Sequence, residues 1–145
     1  MANLDKKMTS LKNVPLFKGL KDQQLRLIAD RMTERNYAAG ETIVKQGHGG
    51  EGFFVITTGN ADAIRERSNG ESIAVNSFGP MNFFGELALL DEEGVRTASI
   101  VAVEPTECLV LTRWDFLAAL RQDADMAVDI LQEMAKRFRL ALDSL

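Results

Sequence analysis

The sequence predicts an α+β fold that is mainly β, an antiparallel β-barrel or jelly roll (a double-stranded β-helix) with helices at its N- and C-terminal ends. Short β-type runs follow one another from Thr42 to Leu111, separated by glycines and by the turn Ser68-Asn69-Gly70. Helical spacing shows only before and after that stretch, so strands and helices do not alternate as a parallel βαβ sheet requires.

The elements follow in order. Val14 to Leu20 is an apolar lead-in broken by Pro15 and Gly19, and Leu25, Ile28, Ala29 and Met32 then fall at i, i+3, i+4 and i+7, one face of a helix. Strands are expected at Thr42 to Val44, Phe53 to Thr57, Ala61 to Glu66, Ile73 to Phe78, Thr97 to Val103 and Cys108 to Leu111. Asn69-Gly70 tolerates the positive φ of a tight hairpin. Gly47, Gly49, Gly50, Gly52 and Gly59 mark further sharp turns. Arg113 to Leu120 has room for a short helix. From Asp125 to the end, Ala127, Leu131, Met134, Phe138, Ala141 and Leu145 alternate at spacings of four and three, a heptad seam. The expected organisation is one domain over 1–145: a helical segment 1–36, a barrel 37–112 and C-terminal helices 113–145.

Composition narrows the function classes. A chain of 145 residues, 46% hydrophobic and 26% charged, suits one soluble domain with its own core. Cys108 is the single cysteine and His48 the single histidine, too few for a disulfide or a zinc site. A reducing, cytoplasmic location fits best. The N-terminus has no apolar signal region, and no apolar run approaches the ~20 residues of a membrane span. A net charge of −4 with interspersed signs disfavours nucleic acid. An anion held by this protein must be held locally. No nucleophile–base pair or metal cluster is visible, so a binding module is expected rather than an enzyme.

The stretch that carries chemistry is Phe84-Gly85-Glu86-Leu87-Ala88-Leu89-Leu90, then the polar loop 91–95, then Arg96-Thr97-Ala98-Ser99. Gly85 lets backbone approach a ligand closely. Leu87 to Leu90 can form a short helix with free N–H groups at its start. Arg96 offers a planar fork of donors suited to phosphate oxygens. Glu86 only accepts, so beside those donors it faces a hydroxyl rather than an anion. A phosphate next to a sugar hydroxyl satisfies both groups.

This segment, 84–99, resembles the phosphate-binding cassette of cyclic nucleotide-binding domains, of the catabolite activator and cAMP-dependent kinase regulatory subunit type. Leu11 to Leu20, Ala39 to Gly47 and Gly52 to Gly59 resemble the family's helical entry, first strands and central strand, so the likeness spans almost the whole chain. It implies that Glu86 accepts from the ribose 2′-hydroxyl and that Arg96 pairs with the cyclic phosphate. The N–H groups of Leu87, Ala88 and Ala98 complete the cradle, Thr97 bonds the ligand, and Val75 packs against the base. cAMP is the expected ligand, with cGMP also open, since Thr97 occurs in relatives of either preference. Met134 to Phe138 resembles the dimerisation helix of bacterial catabolite-activator-type regulators. The family's Thr-Ser pair beyond it is replaced here by Ala141 and Leu142, which neither donate nor accept.

The helix 125–145 therefore has two readings, packing on its own domain or pairing with a second copy. Arg137 and Arg139 either reach the nucleotide from this helix or are solvated. Trp114, Phe116 and Cys108 read as core, His48 as a loop residue, and Asp91-Glu92-Glu93 as a solvated loop. The expected function is a regulatory sensor whose C-terminal helix closes on nucleotide binding and acts on an effector protein. The alternatives are a nucleotide-independent dimerisation scaffold and a fragment of a larger regulator or channel.

Overall fold

A computed structural model describes residues 4–48, 52–91 and 96–145. The expected turn glycines Gly49 and Gly50, and residues Glu92 to Val95 of the polar loop, lie outside the described residues. The chain divides into a β unit, Thr33–Arg113, and a helical unit made of residues up to Met32 together with Trp114–Leu145.

The β unit holds eight strands among its described residues: β1 (Thr33–Tyr37), β2 (Thr42–Val44), β3 (Gly52–Thr58), β4 (Ala61–Glu66), β5 (Ser72–Phe78), β6 (Phe83–Phe84), β7 (Ser99–Ala102) and β8 (Thr106–Thr112). They form two four-stranded antiparallel sheets, ordered β1-β8-β3-β6 and β2-β7-β4-β5. This is the jelly-roll form of the expected fold, with open sheets rather than a closed barrel. A shared core joins them: Phe54, Ile56, Phe84, Cys108 and Val110 from the first sheet meet Ala61, Ala63 and Ile100 from the second. Phe84 stacks on Phe54 with ring centroids 5.1 Å apart and 7° between planes. Cys108 is fully buried, and desolvation, reinforced by the charge of Glu107, pushes its thiol up to about 12.

Two strands differ from the sequence expectation. The helical N-terminal segment expected to run to residue 36 gives way to β1 at Thr33. Thr-Glu-Arg-Asn-Tyr lacks apolar alternation, and pairing with β8, from Thr33↔Val110 to Tyr37↔Thr106, decides its state. β6 is only two residues long and is set by pairing with β3. Gly52 begins β3 rather than marking a turn. An added Cβ there would strike the Leu111 carbonyl and lie 2.9 Å from Thr112 Cα, so glycine is required by close packing of β3 on β8.

The β4–β5 hairpin turns at Ser68-Asn69-Gly70 as expected, with Gly70 at φ +89° and Asn69 Oδ1 accepting from Glu71 N–H at 2.9 Å. The turn into β6 is less well matched to its sequence. Asn82 N–H donates to the Gly79 carbonyl at 3.0 Å, with Pro80 and Met81 between them and Met81 at φ +72°. This position of a type II turn favours glycine. Met81→Gly is expected to stabilise the fold by about 1 kcal/mol, the cost of a left-handed side-chain-bearing residue, read as a higher denaturant midpoint at constant m.

The helical unit contains α1 (Leu4–Lys12), a 3-10 turn Pro15–Phe17, α2 (Asp22–Ala29), α3 (Arg113–Gln122) and α4 (Ala124–Asp143). Leu11, Phe17, Leu25, Ile28, Phe116, Met126 and Ile130 form its buried face, with Phe17 and Phe116 rings 5.9 Å apart. The side chain of Gln24 accepts from Lys21 N–H at 2.8 Å and donates to Asp129 at 3.1 Å, tying the start of α2 to α4. Trp114, read as core from the sequence, is 68% exposed, whereas Phe116 is buried. Two residues apart on a helix, they face different ways, and only one meets the core. No described helix is long and apolar enough to cross a membrane.

Candidate functional site

The cassette is built on the chain leaving β6. Phe84 anchors it in the core, and Gly85 follows at φ +83°, a conformation that turns the backbone into a 3-10 turn, Glu86–Leu89. The turn begins one residue before the expected Leu87–Leu90 helix and is of 3-10 form. Ala88 and Leu89 are buried beneath it and Leu87 is exposed.

Arg96 returns to the same place from the other side. Its backbone N–H donates to His48 carbonyl oxygen at 2.9 Å, and its own carbonyl accepts from Gly47 N–H at 2.8 Å. Its guanidinium Nη2 donates to the Gly52 carbonyl at 2.8 Å. Gly85 is the closest approach. A Cβ added there would press on the Gly52 carbonyl and lie 2.6 and 2.8 Å from the two Nη atoms of Arg96. Gly52 and Gly85, distant in sequence, thus converge on one guanidinium, while Gly47 and His48 hold the backbone of the same residue. The buried Glu86 Oε2 and Arg96 Nε atoms have no hydrogen-bond partner among the described residues, while both residues make other interactions.

A cleft of about 430 Å³ opens here, lined by Gly85, Glu86, Leu87, Ala88, Arg96 and Thr97. These are six of the residues expected from the sequence. Asp91, read only as part of a solvated loop, also lines it. The Ala88 N–H donates to the Gly85 carbonyl at 3.0 Å, so an anion reaching that amide shares the donor with the turn.

A second cleft of about 360 Å³ shares Arg96 and Thr97 with the first. Its apolar lining includes Val75, Phe78, Phe84 and Ala98. The β4–β5 register shifts after Ala63, which pairs with Asn76 while Ile64 pairs with Ala74, leaving Val75 as the extra residue of the bulge. Val75 is 46% exposed and Asn76 lines the same cleft, as does Arg65, whose Nε donates to the Thr97 carbonyl at 3.3 Å. Arg65 and Asn76 are not singled out by sequence: Asn76 adjoins a bulge, which has no local signature, and Arg65 on β4 reaches Thr97 only through the folded sheet. Arg137 lies exposed on α4, in the helical unit.

The arrangement offers a fixed cation beside a carboxylate, with an apolar-walled space adjoining both. Comparison with known proteins agrees in kind. A family model described as "Cyclic nucleotide-binding domain" matches residues 34–123. The chain is 37% identical over 131 residues to the cyclic AMP receptor protein of Thermus thermophilus, covering 90% of this chain and 60% of that protein. It is 34% identical over 119 residues to cGMP-dependent protein kinase, isozyme 1, of Drosophila melanogaster, covering 80% of this chain and 15% of the kinase. The N-terminal domain of a transcriptional regulator from Streptomyces coelicolor A3(2) superposes with a TM-score of 0.85 at 30% identity, covering 94% of this chain and 96% of that one.

Proposed function

The chain belongs to the cyclic nucleotide-binding domain family, and from that premise we propose that it binds a 3′,5′-cyclic nucleotide in the paired clefts as a regulatory module without catalytic activity. The carrying observation is the convergence of Gly85, Glu86 and the Gly52-anchored Arg96 on one cleft. Gly85 leaves no Cβ where Arg96 lies, so the fork stays at the cleft floor. A phosphate accepts from that fork, and Glu86 accepts from the ribose 2′-hydroxyl beside it. The base enters the second cleft, against Val75, Ala98 and Phe78. Its relatives include proteins named for cAMP and for cGMP. cAMP is the ligand proposed first and cGMP the second. Titration calorimetry with each, on the wild type and on Arg96→Ala, tests this reading. Absence of heat for both nucleotides with the wild type would sink it.

The output is assigned to the C-terminal helices. α3 and α4 are separated at Asp123, whose φ of −138° and ψ of 95° break the helix and whose carboxylate accepts from Met126 N–H at 3.2 Å. This break is the point about which α4 moves. Nucleotide shifts that equilibrium only by its difference in affinity for the two states. In this reading Arg137 contributes to the bound state from α4.

The face of α4 supports a second element of the reading, a homodimer. Met126 and Ile130 are buried within the chain, but the heptad seam beside them is not: Leu131 is 64% and Phe138 66% exposed. Seam residues at this spacing are covered when two such helices pair. Phe138→Glu is expected to convert a dimer to a monomer in sedimentation equilibrium, with thermal stability of the β unit unchanged. A nucleotide-independent scaffold of the same fold predicts the dimer but no heat of nucleotide binding. The effector protein on which the helices act belongs to whatever larger assembly the domain serves. The chain spans 60% of the Thermus receptor and 15% of the Drosophila kinase.

A further inference from the structure

Gln46 lies just beyond β2 and lines neither cleft, yet it is bonded to β7 and to β4 beyond it. Its side-chain amide pairs with one residue in both directions: Glu66 N–H donates to Oε1 at 2.7 Å, and Nε2 donates to the Glu66 carbonyl at 3.0 Å. Its own backbone N–H donates to Ser99 Oγ at 2.9 Å. A glutamine amide carries the same donor and acceptor as a peptide group. Here it acts as one further peptide unit at the end of β4, and the Ser99 bond ties the same residue to the start of β7.

The next two residues hold Arg96. Gly47 N–H donates to the Arg96 carbonyl, and the His48 carbonyl accepts from Arg96 N–H. Arg96 is therefore gripped on both backbone faces by a two-residue segment, and the segment's position is set by the residue before it. The Gly52 carbonyl then fixes the guanidinium at 2.8 Å. Removing the Gln46 amide leaves Gly47 and His48 attached to Arg96 but detaches their upstream end from β4. The Ser99 bond, made by the Gln46 backbone N–H, survives that removal, so the grip keeps its link to β7 and loses the one that aligns it with β4.

We propose that Gln46 is a positioning residue for anion binding, acting through Gly47 and His48 to place the Arg96 fork. This rests on the reading that Arg96 pairs with a cyclic phosphate. Binding geometries of this kind tolerate displacements of only about 0.5 Å, so a loosened support lowers affinity without any lost ligand contact. The test is a double-mutant cycle in the full chain, with cAMP and cGMP as probes and dissociation constants from calorimetry. Gln46→Ala is expected to weaken the tighter of the two by about ten-fold. Arg96→Lys keeps the charge and removes the fork, so placement of the fork no longer matters. In that background Gln46→Ala is expected to change affinity by less than about two-fold. A purely structural role lowers affinity equally in both backgrounds, and that result overturns the proposal, as does a Gln46→Ala variant that binds like the wild type. If the wild type binds neither nucleotide, or Arg96→Lys binds as tightly as wild type, the reading of Arg96 itself falls and takes the proposal with it. Thermal melts of each variant separate a folding defect from a binding defect.

Discussion

Arg96→Ala is expected to lower affinity for cyclic nucleotide by about a hundred-fold while the chain stays folded. A charge-assisted hydrogen bond contributes roughly 1.5–3 kcal/mol, and a planar fork makes two to one phosphate. Allowing for partial replacement by water, a loss of about 3 kcal/mol is reasonable, and each 1.4 kcal/mol is ten-fold. Arg96→Lys loses the fork but not the charge and falls between, at about ten-fold. The fold is less sensitive. Truncation removes the bond to the Gly52 carbonyl, and a neutral acceptor left without that donor costs about 1–3 kcal/mol. Gly47 and His48 hold the Arg96 backbone, not its side chain, so the turn survives truncation. Calorimetry against cAMP and cGMP, beside a denaturant melt of the same preparations, separates the two effects. Equal affinities for wild type and Arg96→Ala would remove Arg96 from the site.

The central β-hairpin and the cassette were legible because their signals are local. Asn69-Gly70 demands a positive φ whatever surrounds it, and the observed turn follows. Gly85, Glu86 and Arg96 were expected together from their types and spacing, and one cleft does bring them together. What could not be read depends on contacts distant in sequence. β1 is polar and takes its state from β8, and Gly52 is a strand glycine because Leu111 crosses it. Val75 and Ala98 line the second cleft as expected, but the bulge at Val75 was not legible, since a bulge is a property of a strand pair rather than of either sequence. Trp114 shows the converse error. An aromatic beside Phe116 reads as core by composition, yet a helix sends neighbours in different directions, and nothing local says which one meets the core. Gln46 escaped for the same reason: a polar residue before a glycine looks like a turn residue until Glu66 and Ser99 are seen on either side of it.

Gly85→Ala is expected to be the most damaging single-methyl substitution at the site, because one atom acts on conformation, packing and binding together. At φ +83° an alanine pays about 1 kcal/mol in backbone strain relative to glycine. Its Cβ also meets the Gly52 carbonyl, which is backbone in a sheet, and both terminal nitrogens of Arg96. The guanidinium can yield; the carbonyl cannot without moving β3 from β8. Overpacking of this sort costs roughly 1–3 kcal/mol more. A total near 3 kcal/mol corresponds to a fall in Tm of about 10 °C for a chain of this size. The part of the clash that can be relieved is the contact with the guanidinium, by turning Arg96 away from Gly52, which takes the fork out of the cleft. Nucleotide affinity should therefore fall at least as far as in Arg96→Ala, even at temperatures where the variant is fully folded. Gly52→Ala offers the contrast, since its Cβ is directed at Leu111 and Thr112 rather than at Arg96. It should lower Tm comparably but affect affinity less at low temperature. If Gly85→Ala instead lost stability while binding nucleotide like the wild type, the guanidinium would not be the element that the glycine protects.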